Sequence, residues 1–220
     1  MKTIAMLAAL TLTIGLAAAK GPSLPPPNPE QGSLAITLDA KPPAKIGKMQ
    51  ADQIFFVHLD SDADPSSATA IFPSNYSDGD HVYLLNAKPG RYVAVVAKLR
   101  NPMSSGREFQ GFLSQEAIAQ TETTVAAGRM AFMGKFSVQT STKLDEADPA
   151  QAHYFRLLMP ETGRLMQAMS GSMPYTAKLT KFARDPKAAE AFWTEATKDA
   201  FKNEPAWLEL ARHELEELKK

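Results

Sequence analysis

Four histidines, a run of alternating aspartates and a scatter of hydroxyls are the side chains here whose types could do chemistry. The histidines are His58, His81, His153 and His213, and no two stand in a His-x-x-x-His pair. His213-Glu214-Leu215-Glu216-Glu217 begins as a zinc-protease helix begins, but the second histidine, needed one turn later to share the metal, is missing. Asp60-Ser61-Asp62-Ala63-Asp64 places carboxylates at alternate positions, as a calcium loop starts. Such a loop then needs Gly at its sixth position and Glu at its twelfth, where this chain has Pro65 and Ile71. Two readings stay open: weak calcium binding by Asp60, Asp62 and Asp64, with Asp78 and Asp80 if they fold nearby, or a solvated acidic turn.

Signatures of a nucleophile are absent. The sequence contains neither Gly-x-Ser-x-Gly nor Ser-x-x-Lys, and it has no cysteine, which excludes thiol catalysis, disulfides and thiolate metal sites. Hydrolytic chemistry would need a Ser/His/Asp-type group gathered from distant positions. His58, one alternation from Asp60 and able to share a sheet face with it, is a local hint of that kind. No Gly-rich phosphate loop occurs. Neither catalytic residues nor a cofactor are expected. Lys plus Arg and Asp plus Glu both number 24, and no basic stripe appears, which disfavours nucleic acid and strongly anionic surfaces as partners.

The elements that must position these residues begin after an export signal. Lys2 supplies a positive start, Ile4 to Leu16 an apolar run, and Ala17-Ala18-Ala19 the small residues a signal peptidase accepts, so residues 1–19 are expected to be removed before Lys20. The run is shorter than the roughly 20 apolar residues of a transmembrane helix, so no membrane span is expected in the mature chain. Leu16-Ala17-Ala18 also leads as a lipoprotein signal does, with Ala19 where the lipidated Cys would stand. As written, the chain is expected to be soluble and periplasmic; a native Cys at that position would anchor it. Residues 20–31, rich in proline, read as a semi-rigid linker.

From 32 to 142 the period is that of β-structure. Leu34, Ile36 and Leu38 alternate with Ala35 and Thr37, and Phe55, Val57 and Leu59 are expected on one face. Pro89-Gly90 marks a type II turn between His81–Asn86 and Arg91–Leu99. Gln115 to Gln120 reads as a helical turn. Met130, Phe132, Phe136 and Val138 are expected to share a face, with Gly134 at a bulge or close backbone approach. Seven or eight short strands predict an antiparallel β-sandwich. Residues 143–220 are expected to be helical, with starts at Asp148-Pro149, Asp185-Pro186 and Asn203, and a short helix carrying Leu165, Met166 and Met169. In the last helix Trp207, Leu208, Ala211, Leu215 and Leu218 form an apolar stripe.

Two short motifs carry a family resemblance. Pro89-Gly90-Arg91-Tyr92 resembles the PG-x-Y turn of prealbumin-like (transthyretin or carboxypeptidase-regulatory type) modules. Ala127-Gly128-Arg129-Met130-Ala131-Phe132-Met133-Gly134-Lys135-Phe136 is similar to a later strand of small bacterial envelope proteins of that class. The resemblance covers about residues 32 to 142 and implies a seven-stranded sandwich with no catalytic residues. The function expected is that of a non-enzymatic envelope protein contacting another envelope component. The stripe on the last helix is the first candidate partner surface, provided it is not buried on the sandwich. Sugar binding through exposed rings at Tyr76, Tyr83 or Tyr92 is an alternative.

Overall fold

The computed structural model describes residues 24–43, 47–59, 64, 68–101, 108–141, 143–145, 147–158 and 173–220. Residues 1–19 with the expected export signal, residues 20–23, Asp60, Asp62 and the expected helix around Leu165 lie outside them.

The alternation of Leu34, Ile36 and Leu38 produces strand β1 (Gly32–Lys41). It is buried on both faces, because different partners cover each one. β2 (Gln50–Leu59), β3 (Ile71–Pro73), β4 (Tyr76–Asp78), β5 (His81–Ala87), β6 (Gly90–Arg100) and β7 (Glu108–Leu113) follow. Helix α1 (Gln115–Thr121) leads to β8 (Thr123–Val125) and β9 (Met130–Ser141). After α2 (Pro149–Leu158) comes β10 (Met173–Ala183), then α3 (Pro186–Lys198) and α4 (Pro205–Glu217).

The strands join in one sheet, in the order β3-β2-β6-β7-β10-β9-β1-β5-β4, with β8 on β6. It is mixed: β1 runs parallel to β9, and β10 parallel to β7. The sheet curls so that β1 and β5 face β2. Leu34, Ile36 and Leu38 meet Ile54, Phe56, Val93 and Val95 in the space enclosed. The expectation of an antiparallel seven- to eight-stranded sandwich followed by helices is therefore corrected. The architecture is mainly β with four described helices, one of them between β7 and β8. Residues 143–220 are not wholly helical either. Met173–Ala183 carries the strand alternation of Tyr175, Ala177 and Leu179, and β10 fills the gap between β7 and β9.

A second apolar cluster lies on the outer face of the sheet. Ala35 on β1, Tyr83 and Leu85 on β5 and Met130 on β9 pack there against Phe192, Trp193, Phe201, Trp207 and Ala211. α3 buries Ala189, Phe192, Trp193 and Ala196, the i, i+3, i+4, i+7 face that a docked helix presents. Its start is the expected one: the Asp185 carboxylate accepts from the Ala188 N–H at 2.9 Å, and Pro186 takes the first turn.

Met130 and Phe132 do not share a face with Phe136 and Val138. The first two meet the helices, the others the enclosed core. The reason is the bulge at Gly134: Ala35 and Thr37 on β1 are two residues apart, and their partners Phe132 and Lys135 are three apart. Gly134 takes φ +127°, and a Cβ there would lie 2.7 Å from the Phe182 ring and 3.1 Å from the Ala183 carbonyl. Arg184 accounts for the carbonyl beside the bulge, donating from Nε to Met133 O at 2.6 Å and from its other nitrogens to the Gln120 and Glu122 carbonyls. We expect Gly134→Ala to lose about 2–3 kcal/mol, from strained backbone and overpacking together. Urea unfolding checks this; unchanged stability would mean the bulge can relax.

Bulges also redistribute β2, where register shifts at Gln53 and Phe56 leave Phe55 half-buried and Phe56 buried. Pro89-Gly90 forms a bend rather than the expected type II turn, with Gly90 at φ +145° and already the first residue of β6. It joins strands that do not pair, carrying the chain from one half of the curled sheet to the other. Tyr92 donates its hydroxyl hydrogen back to Lys88 O at 2.8 Å, stapling the bend.

Candidate functional site

The bulge at Gly134 has a consequence on the outer face. It sets Lys135, rather than residue 134, beside Thr37, and Thr37 is in turn the cross-strand partner of His81. His81, Thr37 and Lys135 thus stand abreast on β5, β1 and β9. α3 passes over them, and the gap beneath it is a cleft.

One part of the cleft holds about 280 Å³, lined by Thr37, His81, Phe132, Lys135, Asp185, Lys187 and the helix residues Ala188, Ala191, Phe192 and Glu195. An adjoining space of about 450 Å³ shares Thr37, His81, Lys135 and Glu195 and extends to Asp78, Asp80 and Asp199. Sheet and helix meet along one side of the cleft: half-buried Phe132 stacks on buried Phe192 of α3 with centroids 4.4 Å apart, and the His81 ring meets Phe192 at 4.8 Å in a T-shaped contact.

A hydrogen-bond chain crosses the middle. Thr37 Oγ1 lies 2.9 Å from His81 Nδ1, and His81 Nε2 lies 2.9 Å from Glu195 Oε2. In the tautomer whose Nε2–H donates to Glu195, Nδ1 accepts the Thr37 hydroxyl hydrogen. This order of hydroxyl, imidazole and carboxylate has the connectivity of a general-base group. It also has a simpler origin, since Thr37 and His81 are directly opposed in the sheet and Glu195 is the helix residue above them. The Glu195 side chain is 62% exposed, whereas the acid that holds a catalytic imidazole is ordinarily sheltered. The chain therefore serves as a strut between helix and sheet.

The charges around the strut are unevenly distributed, although Asp185, the cap of α3, lies at the lysine end and Lys135 also lines the acidic space. Lys135 and Lys187 lie toward the start of α3, and neither has an ion pair among the described residues. Asp78 and Asp199 lie at the other end, also without ion pairs there, while Asp80 is engaged by Lys48. Beneath that end, Tyr83 is fully buried, and its hydroxyl makes no hydrogen bond within the described residues. Burial, with Tyr76, Asp78 and Glu195 adding to it, pushes that hydroxyl's pKa far up, so it stays neutral.

The residues singled out from sequence fall elsewhere. Of the aspartate run only Asp64 is described, and no group of three metal-ligating side chains occurs among the described residues. The four histidines occupy four separate places. His58 packs edge-on to Tyr92, His153 donates to Ala68 O at 3.0 Å, and His213 lines a groove between α4 and the Pro26–Pro29 segment. Tyr83 and Tyr92 are buried, and half-buried Tyr76 donates to Ala200 O at 2.6 Å, so these rings are not exposed stacking platforms.

The apolar stripe of α4 is also corrected as a partner surface. Trp207 and Ala211 are buried in the second cluster, Leu208 and Leu215 pack against it, and only Leu218, 38% exposed, faces outward. The proline segment is held there too. Trp207 Nε1 donates to Pro25 O at 2.8 Å and Asn86 Nδ2 to Pro26 O at 3.0 Å, so from Leu24 onward it is a docked strap, not a free spacer.

Sequence reasoning missed Thr37, Lys135, Lys187 and Glu195 as a set. They come from three elements, β1, β9 and α3, and only sheet register, a bulge and helix docking bring them together. No protein-family model matches this chain, and no curated protein or solved structure matches it either. No helix among the described residues is long and apolar enough to cross a membrane.

Proposed function

We propose that this chain is an exported, non-enzymatic binding protein of the bacterial cell envelope, and that the cleft under α3 is its binding site. One observation carries the reading: a partly apolar cleft with unpaired charges of both signs, in a position where the fold needs none of those charges. Small-ligand sites are concave, mostly apolar, and carry a few placed polar groups. Export rests on the Lys2-to-Ala19 pattern. The Pro89-Gly90-Arg91-Tyr92 motif is what supports a prealbumin-like relationship, while the mixed pairing of the sheet does not add to it. His81 acts as the strut that holds the cleft open, not as a base.

Ala191 is exposed and lines the cleft, so Ala191→Trp fills it without touching either core. We expect wild-type protein to retain an envelope component in pull-downs from envelope extract, and Ala191→Trp to retain at most about a tenth as much, the effect of losing about 1.4 kcal/mol. Equal retention would remove the cleft from the account. Recovery of the protein from the cytoplasm with residues 1–19 intact would contradict export.

A further inference from the structure

We infer that the ligand of the cleft is a short, unblocked peptide lying along α3, its ammonium at the Asp78/Asp199 end and its carboxylate between Lys135 and Lys187. The inference rests on the cleft being a binding site, as proposed above, and adds the chemistry of what it takes.

The warrant is the order of charges. Asp78 and Asp199 at one end and Lys187 at the other have no ion pair among the described residues; Lys135, also unpaired, lines both spaces, and Asp185 at the lysine end is engaged by the Ala188 N–H. A purely anionic or purely cationic ligand would satisfy one end and be repelled at the other. A neutral sugar would leave both unmatched and would find no exposed tyrosine ring to stack on. A molecule with opposite charges at its two ends satisfies both.

The distance between the ends sets its length. Lys187 and Asp199 are twelve residues apart on α3 and its C-cap, about 18 Å at helical rise. His81 and Lys135 are separated by one intervening strand, about 10 Å at ordinary strand spacing. Side chains reaching inward shorten both figures. A span of about 10–18 Å matches an extended peptide of about three to five residues, at about 3.3 Å each. Between its ends such a peptide presents amides and small side chains to the apolar lining at half-buried Phe132, Ala188 and exposed Ala191. Thr37 and His81 are already bonded to one another and offer it shape, while the exposed Glu195 carboxylate, one turn before Asp199, adds to the negative end.

Calorimetric titration with tetraalanine, N-acetyl-tetraalanine and tetraalanine amide tests this. The free peptide is expected to bind, and blocking either end to weaken it about tenfold or more. In Asp78→Asn/Asp199→Asn the acetyl group should cease to matter while the amide still does. In Lys135→Ala/Lys187→Ala the reverse should hold. All four side chains are free of ion pairs among the described residues, so the variants are expected to fold. Equal binding of the three probes, undiminished binding to Ala191→Trp, or no binding of tetraalanine tighter than about 10 mM would each overturn the inference. Absence of peptide binding, alongside an envelope component still retained in an Ala191→Trp-sensitive way, would overturn the peptide and leave the binding site standing. Loss of both would remove both.

Discussion

Replacing Trp207 by Ala is expected to destabilise the protein by about 3–5 kcal/mol, the range for deleting a buried aromatic side chain. Trp207 is only 2% exposed, and its ring stacks on Phe201 with centroids 6.1 Å apart. The indole N–H also holds the Pro25 carbonyl, so the substitution opens a cavity under α4 and releases the strap together. Trp207→Phe keeps much of the ring and loses the hydrogen bond, at about 1 kcal/mol beyond any packing change. Urea unfolding measures both, and limited proteolysis should cut Trp207→Ala sooner within residues 24–31. If Trp207→Ala unfolds with wild-type stability, α4 is not docked on the sheet, and its apolar stripe becomes available to a partner after all.

Glu214 is the second position with a large expected effect. Arg129 donates to it from Nε at 2.7 Å and from Nη2 at 2.8 Å, and the Met130 N–H donates to the same carboxylate at 3.1 Å. The Glu214 side chain is 10% exposed while that of Arg129 is 45% exposed, so the two are not equivalent. Glu214→Ala leaves the Met130 N–H without its acceptor and the guanidinium without its counter-charge. We expect a loss of about 2–3 kcal/mol. Arg129→Ala should cost less, because half-exposed Arg129 is partly hydrated in either state, though it leaves the carboxylate with the Met130 N–H alone. The pairing also holds the guanidinium in its charged form, raising the Arg129 pKa above its ordinary value through the hydrogen bonds first and the charge of Glu214 next. That value lies so far above neutrality that no pH dependence in the working range is expected from Arg129. A double-mutant cycle on the two residues checks the pairing: additive losses would mean that α4 is held by its apolar face alone.

Much of the fold follows from local patterns. The alternation in β1, the Asp148-Pro149 and Asp185-Pro186 starts and the stripe on α4 each reflect chemistry within a few residues, and each appears as expected. The last helix begins at Pro205 rather than Asn203, since proline takes the first turn. What could not be read depends on residues far apart in the chain. β10 has a strand's alternation, but its place between β7 and β9 is set by pairings with strands roughly 40 to 65 residues earlier. The stripe on α4 was legible as apolar, yet periodicity does not say whether a helix packs on its own sheet or on another molecule. Gly134 was legible as a bulge, whereas its effect on Phe132 and Lys135 follows only from the register against β1. His81 and Glu195, 114 residues apart, meet through that same long-range packing.

The central claim is that the cleft under α3 is where this protein binds. Amide chemical-shift mapping of the labelled protein, titrated with solubilised envelope fraction, tests it most directly. The account predicts shifts concentrated at Thr37, His81, Lys135, Lys187, Ala191 and Asp199, and abolished in Ala191→Trp. Shifts concentrated instead along the groove between α4 and the Pro26–Pro29 strap, with the cleft silent, would contradict it.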